Sequence, residues 1–331
     1  MAQLIGKRVA AMVVIVLVLA AVVFTLQKVS PLDPVHAMLG PGASASAVAQ
    51  QRHALGLDEP FTTQFLHYVA GLAHGDLGTS YRTRRPVSED LFTFVPATAE
   101  LALTAILLAL LLAVVLAVSS SLRWPGAWLI RFVLMAGASA PAFLLGIGSI
   151  LIFYQQLGWL PASGRLDTQP VTDGPTGLFV LDGLLTGHPG EASDALAHLL
   201  LPALAIAIGP AVSIGRVLRS SLLGEEASDY ARTARAKGLT EPAVLTRHVL
   251  RNAVGPALSM TGLQLGLMFS GVLVVEQIFG WPGVGQYTAQ SIPVADFPAI
   301  AGVTLLLGAG YVALNTVVDI LQAVADPRIT V

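Results

Sequence analysis

The sequence has no cysteine, which excludes disulfides, thiolate catalysis and Cys-ligated metals. It is also poor in charge. Asp, Glu, Lys and Arg make up 11% of its 331 residues, against roughly 25% in a soluble domain. With 54% hydrophobic residues, such a chain cannot cover itself with polar surface and belongs in a bilayer. The net charge of −2 selects no class of partner, and nothing in the chain points to nucleic acid. The signatures G-x-x-x-x-G-K-[ST], G-x-S-x-G and H-E-x-x-H do not occur, which removes a P-loop and the commonest hydrolase motifs. No catalytic residue and no metal site is therefore expected. The seven histidines are scattered; His67 and His74 lie seven residues apart on an outer segment and are not read as a metal site. Arg82, Arg84 and Arg85 read as a solvated or lipid-facing patch.

Long apolar runs are abundant instead. A membrane-crossing helix needs about 20 mostly apolar residues. Six stretches qualify, at 9–27, 101–122, 132–154, 195–215, 253–275 and 299–318. The piece 176–185 is too short to span and is expected to lie at the surface or act as a plug. Lys7 and Arg8 precede the first run as in a signal peptide, but the run is long and no cleavage site follows. It is read as a retained anchor. The fold class is an all-α polytopic membrane protein with six transmembrane helices and a long external segment after the first. Ser44 and the residues after it, to Leu55, are expected to form one amphipathic helix there, among turns at Pro31-Leu32-Asp33-Pro34 and Gly40-Pro41-Gly42.

Basic residues orient the spans. One side collects Lys7, Arg8, Arg123, Arg131, Arg216, Arg219, Arg232, Arg235, Lys237, Arg247, Arg251 and Arg328, twelve of the eighteen Lys and Arg. That side, with both termini, is expected to be cytoplasmic. Ionisable groups are scarce inside the spans. His198, Glu276 and Asp319 fall near span ends, where water is expected to reach them. Ion-driven carriers keep carboxylates at mid-membrane, so the scarcity counts against a secondary carrier. An intramembrane enzyme would need a facing catalytic pair, and none is evident. The fifth run has Gly262, Gly266 and Ser270 at four-residue spacing, a face for close helix packing. Ser259, Gln264 and Ser270 give it a mildly polar side and are candidate pathway-lining residues.

Between two of these runs lies a polar segment, 229–256, longer than a connection requires. Ser228 reads as an N-cap and Gly238 as a stop, with Tyr230, Ala231, Ala234 and Leu239 near one face and Arg232, Arg235 and Lys237 elsewhere. Thr240 and Pro242 then start a second helix. On spacing alone the segment is either a solvated linker or a docking knob. The turn Phe279-Gly280-Trp281-Pro282-Gly283, after Glu276, reads as a surface or re-entrant turn with Trp281 at the membrane interface.

With these residues in view, the chain resembles the permease subunits of ABC importers, specifically the dipeptide/oligopeptide family. DYARTARAKGL (229–239) and RHVLRNAVGP (247–256) look like that family's form of the importer "EAA" loop, with Gly238 as the loop glycine. Arg232, Thr233 and Ala234 stand where the general pattern has Glu-Ala-Ala. LGLDEP (55–60), GDLGTS (75–80), PAFLLG (141–146), HLLLPALA (198–205), EQIFGWPGVG (276–285) and DPR (326–328) follow in family order.

The resemblance implies a type I ABC importer permease fold. It implies a coupling loop over 217–256, in which Asp229, Tyr230, Arg232, Thr233, Ala234, Arg235, Ala236, Lys237, Gly238 and Leu239 dock on an ATPase. Arg247, His248, Arg251, Asn252 and Pro256 would support that loop, and Glu276, Phe279, Gly280, Trp281, Pro282 and Gly283 would form an external loop. Expected partners are a second homologous permease, two ATP-binding cassette subunits that carry the ATP and Mg, an external substrate-binding protein and the lipid bilayer. No cofactor is expected on this chain. The expected division is an N-terminal helix with external segment (1–93), a five-helix transmembrane domain (94–325) and a tail (326–331). Peptides are the expected cargo, with nickel, glutathione or another small ligand as the alternative within the family.

Overall fold

In a bilayer an apolar run has no hydrogen-bond partner for its backbone except itself, so these runs must be helical. The computed structural model describes residues 2–30, 34–40, 42–121, 127–168 and 174–325. In chain order its helices are α1 (Ala2–Val29), α2 (Pro34–Leu39), α3 (Ala45–Ala54), α4 (Phe61–Ala73), α5 (Val87–Ser121), α6 (Ala127–Ala138), α7 (Ala142–Ser149), α8 (Phe179–Leu185), α9 (Pro189–Glu226), α10 (Asp229–Ala236), α11 (Glu241–Val244), α12 (Leu250–Ile278), α13 (Val284–Ser291) and α14 (Phe297–Ala325). No strand occurs among the described residues beyond one isolated bridge, Thr79 to Pro86. The 31–33 turn, Pro41, Leu122, Arg123 and the 326–328 motif lie outside the described residues.

Five helical stretches are long and apolar enough to cross a membrane, within Arg8–Val29, Val87–Val118, Pro189–Glu226, Glu241–Ile278 and Phe297–Gln322. The run expected at 132–154 is a bent pair, Arg131–Ala138 and Ala142–Gln156, at 118°. Pro141 is the cause. It sits at φ −59°, ψ 147°, and its ring disfavours helical backbone in the residue before it. The second limb ends in a π-helical turn, Ile150–Gln156.

Contacts divide the chain into two compact units. The first joins Met1–Thr98 to Pro282–Val312. In it α1 meets α4, and the Phe24 ring lies 5.2, 5.4 and 5.6 Å from those of Phe61, Phe65 and Tyr68. Ser44 caps α3 by accepting from Ala47 N at 3.3 Å, but no residue of that helix is buried. The hairpin around Arg82, Arg84 and Arg85 is held by two buried carboxylates. Asp296 accepts from Ser80 Oγ and from Arg82 N, the latter at 3.1 Å. Asp90 accepts from Thr83 Oγ1 at 2.6 Å, Arg85 Nε at 3.0 Å and the Tyr287 hydroxyl at 2.9 Å. Arg82 lies over the Tyr287 ring at 5.2 Å. The three arginines are therefore not one solvated patch; Arg82 and Arg85 have partners within the unit.

The second unit, Ala99–Trp281 with Ala313–Val331, is built round α9. Of the apolar window of that helix 67% is buried, against 17–33% for the other spans. Its run of Ala, Gly and Ile lets neighbours come close. A Cβ on Gly215 would lie 2.9 Å from Leu116 Cδ2 and 3.1 Å from the Ala113 carbonyl, so α5 and α9 meet there only because position 215 has no side chain. Helices α6, α7, α8, α10 and α12 also pack on α9. At 1.5 Å per residue α9 is about 57 Å long, nearly twice a bilayer's hydrocarbon core, so it projects beyond it.

Two expectations fail in this unit. Trp281 is not at a membrane interface but buried, 1% exposed, with the Arg165 guanidinium 5.6 Å from its ring. Glu276 and His198 are not reached by water; they are 0% and 4% exposed. Residues 279 and 280 form the expected turn, with Phe279 buried and its carbonyl accepting from Gly164 N at 3.0 Å. Gly280 remains exposed. The two residues beyond, Pro282 and the buried Gly283, belong to the first unit, where Gly283 precedes α13.

Candidate functional site

The segment after α9 folds as its local signals require. The Ser228 hydroxyl caps α10 by accepting from Ala231 N at 3.4 Å, and it donates to the Glu225 carbonyl at 2.6 Å. Asp229 in the first turn and Arg235 in the last suit the helix dipole. Gly238 has φ +83°, the left-handed conformation that ends a helix, and a Cβ there would meet nothing within 4 Å. Thr240 then precedes α11, with Pro242 in its first turn but no side-chain cap bond. A π-helical turn, Leu245–Val249, leads into α12.

Burial divides α10 into two faces. Ala231 and Ala234 are buried in a cluster with Ile214, Leu218 and Leu222 of α9, Val244, Val249 and Ala253. Leu239 packs against the same cluster. The alanine face is thus filled by this chain itself. Asp229, Tyr230, Arg232, Thr233, Ala236 and Lys237 are exposed and form the outward face. Arg235 joins the two faces: its Nε donates to Glu241 at 2.9 Å and its Nη1 to the Glu226 carbonyl at 3.0 Å. One side chain so ties the end of α9 to the start of α11. The Glu241 hydrogen bond raises the Arg235 pKa further, so the tie stays charged at any physiological pH. Tyr230 adds a hydrogen bond to Glu225, and Arg232 pairs with Asp229. Arg247, Arg251, Asn252 and Pro256 are exposed and His248 is half-buried along the return into α12.

Within the same unit α6, α7, α9 and α12 line an open cavity of about 500 Å³. Ser139, Ser213 and Gln264 supply its polar wall, and Arg216 is its charged residue. Of the three candidate pathway residues only Gln264 lines it. Ser259 and Ser270 are exposed and lie outside its lining. The small-residue face is likewise not continuous. Gly262 is buried where a Cβ would come 3.1 Å from Asn315 Oδ1, whereas Ser270 is exposed.

Sequence reasoning missed two clusters. Arg165 is buried beside Glu100 of α5 with 2.5 Å between Nη2 and Oε2. It also donates to the Gly177 carbonyl at 2.8 Å, and its guanidinium sits 3.6 Å from the Phe179 ring. The other is Asp167, Asp194 and His198, brought together at the start of α9. Asp194 and His198 are four apart on one helix, but Arg165 and Glu100, or Asp167 and His198, are too distant in the chain to carry a spacing signal.

The family model for the inner membrane component of binding-protein-dependent transport systems matches residues 101–331, and the model for the N-terminal part of such membrane components matches residues 1–102. This chain belongs to that family. It is 41% identical over 323 residues to the probable D,D-dipeptide transport system permease protein DdpB of Escherichia coli K12, covering 96% of this chain and 94% of that one. It is 36% identical to the dipeptide transport system permease protein DppB of Alkalihalophilus pseudofirmus, with 98% of each covered. The glutathione transport system permease protein GsiC of Salmonella typhimurium is 34% identical over 98% of this chain. The chain is thus a transport permease, an inner membrane component that works with a substrate-binding protein.

Proposed function

We propose that this chain forms half of the translocation pathway of an ATP-driven importer of dipeptides and short oligopeptides. A second homologous permease supplies the other half, and the outward face of α10 docks on one of two separate ATPase subunits that carry ATP and Mg. The binding protein delivers cargo at the opposite end of α9. The chain itself is non-catalytic. The bias of its basic residues supports a cytoplasmic side for the face of α10 and both termini. The observation that carries the docking reading is the built shape of α10. A linker needs no buried alanine face, no Arg235 tie and no left-handed glycine, whereas a rigid knob needs all three. The apolar spans and an open cavity along α9 suit half a pathway, and rocking of two such halves gives alternating access.

Peptide cargo is supported by relatives named for dipeptides. The GsiC relatives favour glutathione, itself a short peptide, as the second reading.

Reversing charge on the outward face tests the docking. Arg232→Glu with Lys237→Glu should leave the fold intact yet cut peptide-stimulated ATP hydrolysis of the assembled importer at least about tenfold, ~1.4 kcal/mol of docking free energy. The lone chain should bind no ATP at micromolar concentration. Wild-type coupling in the double variant would sink the docking reading, and stimulation by glutathione but not by dipeptides would replace the cargo.

A further inference from the structure

We propose that Asp167, Asp194 and His198 form a binding site for a divalent cation of the zinc class at the start of α9. A ligand atom from each residue lies within 4.8 Å of the other two. His198 is the fixed member, with a side chain 2% exposed. Its Nδ1 lies 3.0 Å from the Asp194 carbonyl and 3.2 Å from Asp194 Oδ1, both of which can only accept, so Nδ1 carries the ring proton and Nε2 presents a lone pair. Metal-binding histidines are held this way, by donating the other ring nitrogen to a carbonyl or carboxylate.

Nε2 faces Asp167 Oδ1 at 3.5 Å. That is too long for an N–H···O hydrogen bond, which lies near 2.7–3.2 Å. A lone pair facing a carboxylate oxygen is repulsive unless a cation sits between them. Bond lengths of about 2.0–2.2 Å from zinc to imidazole nitrogen and carboxylate oxygen, at a tetrahedral angle, set two ligands about 3.4 Å apart. The observed gap matches that figure.

The carboxylates are placed to adjust. Asp167 is exposed and already faces Nε2, whereas Asp194, half-exposed, has Oδ1 beside Nδ1 and must turn from there to reach an ion anchored at Nε2. Asp167 N donates to Asp194 Oδ2 at 3.0 Å, which aligns the second carboxylate. One imidazole and two carboxylates suit zinc or another late first-row metal and disfavour magnesium or calcium, which take oxygen alone. Three protein ligands leave a coordination position for water. The bound ion would fasten the 158–168 loop to α9 beside the point where Arg165 already fastens it to Glu100. The site lies at the far end of α9 from α10 and does not depend on the transport reading.

Titration calorimetry of the full-length chain in detergent with Zn²⁺ alone tests the site. One Zn²⁺ should bind, about tenfold or more weaker in Asp167→Asn and Asp194→Asn, and not at that site in His198→Gln. Mg²⁺ should not compete. Co²⁺ absorption should report nitrogen–oxygen coordination in the wild type and lose it in His198→Gln. Asp167 is exposed, so its variant folds and decides the matter even if the buried His198 variant does not. Equal Zn²⁺ affinity in wild type and Asp167→Asn, or none in either, would leave only an imidazolium held between two carboxylates and overturn the proposal.

Discussion

Arg165 shows how one residue fixes a loop. Taking its guanidinium out of water lowers its pKa, and the hydrogen bond and charge of Glu100 pull it back up. A buried pair of this kind is worth little against a well-packed apolar pair, but removing one partner strands the other charge at a cost of about 3–5 kcal/mol. Glu100→Gln should therefore lower the thermal unfolding midpoint clearly, while Glu100→Gln combined with Arg165→Met should recover part of the loss. The recovery is partial because Arg165→Met also removes the hydrogen bond to the Gly177 carbonyl at 2.8 Å. A single variant that unfolds with the wild type would mean that the ion pair does not hold the loop.

At the scale of the element, α10 separates stability from coupling. Gly238→Val places a β-branched residue in the left-handed region at about 1–2 kcal/mol, with no steric clash added. Ala234→Leu overfills the cluster that Ala234 shares with α9 and α12, at about 1–3 kcal/mol. Both should speed hydrogen exchange of the α10 amides, whereas Lys237→Glu should leave exchange unchanged. Unchanged exchange in Ala234→Leu would mean that the alanine face is not seated on its own chain. The cap at Ser228, the stop at Gly238 and the restart at Thr240 and Pro242 were legible in the sequence because each is a local signal within a few residues. The seat of Ala231 and Ala234 was not, since a small-residue face suits a partner's groove and this chain's own core equally well. Trp281 misled for a related reason. Enrichment of Trp at membrane interfaces is a tendency, and the Arg165 that covers this one is remote in sequence.

Over the whole molecule, the bent pair α6–α7 decides the topology. If Arg131–Ala138 and Ala142–Gln156 cross together there are six spans; if they turn back there are five, and everything after Gln156 changes side. Charge argues for crossing. A hairpin that returned would put Arg131 on the opposite side from Arg216, Arg219, Arg232, Arg235, Lys237, Arg247 and Arg251, against the bias of short basic loops toward the cytoplasm. The chain has no cysteine, so single introduced thiols report without background. Gly190 at the start of α9 is exposed, with open space for a side chain, and Lys237 is exposed beyond the other end of that helix. Gly190→Cys should react with an impermeant maleimide on intact cells, and Arg131→Cys and Lys237→Cys only after permeabilisation. A turned-back pair would make Arg131→Cys and Gly190→Cys label from the same side, with Lys237→Cys opposite. External labelling at Lys237→Cys would also remove α10 from reach of a cytoplasmic ATPase, so this one pattern bears on fold and coupling together.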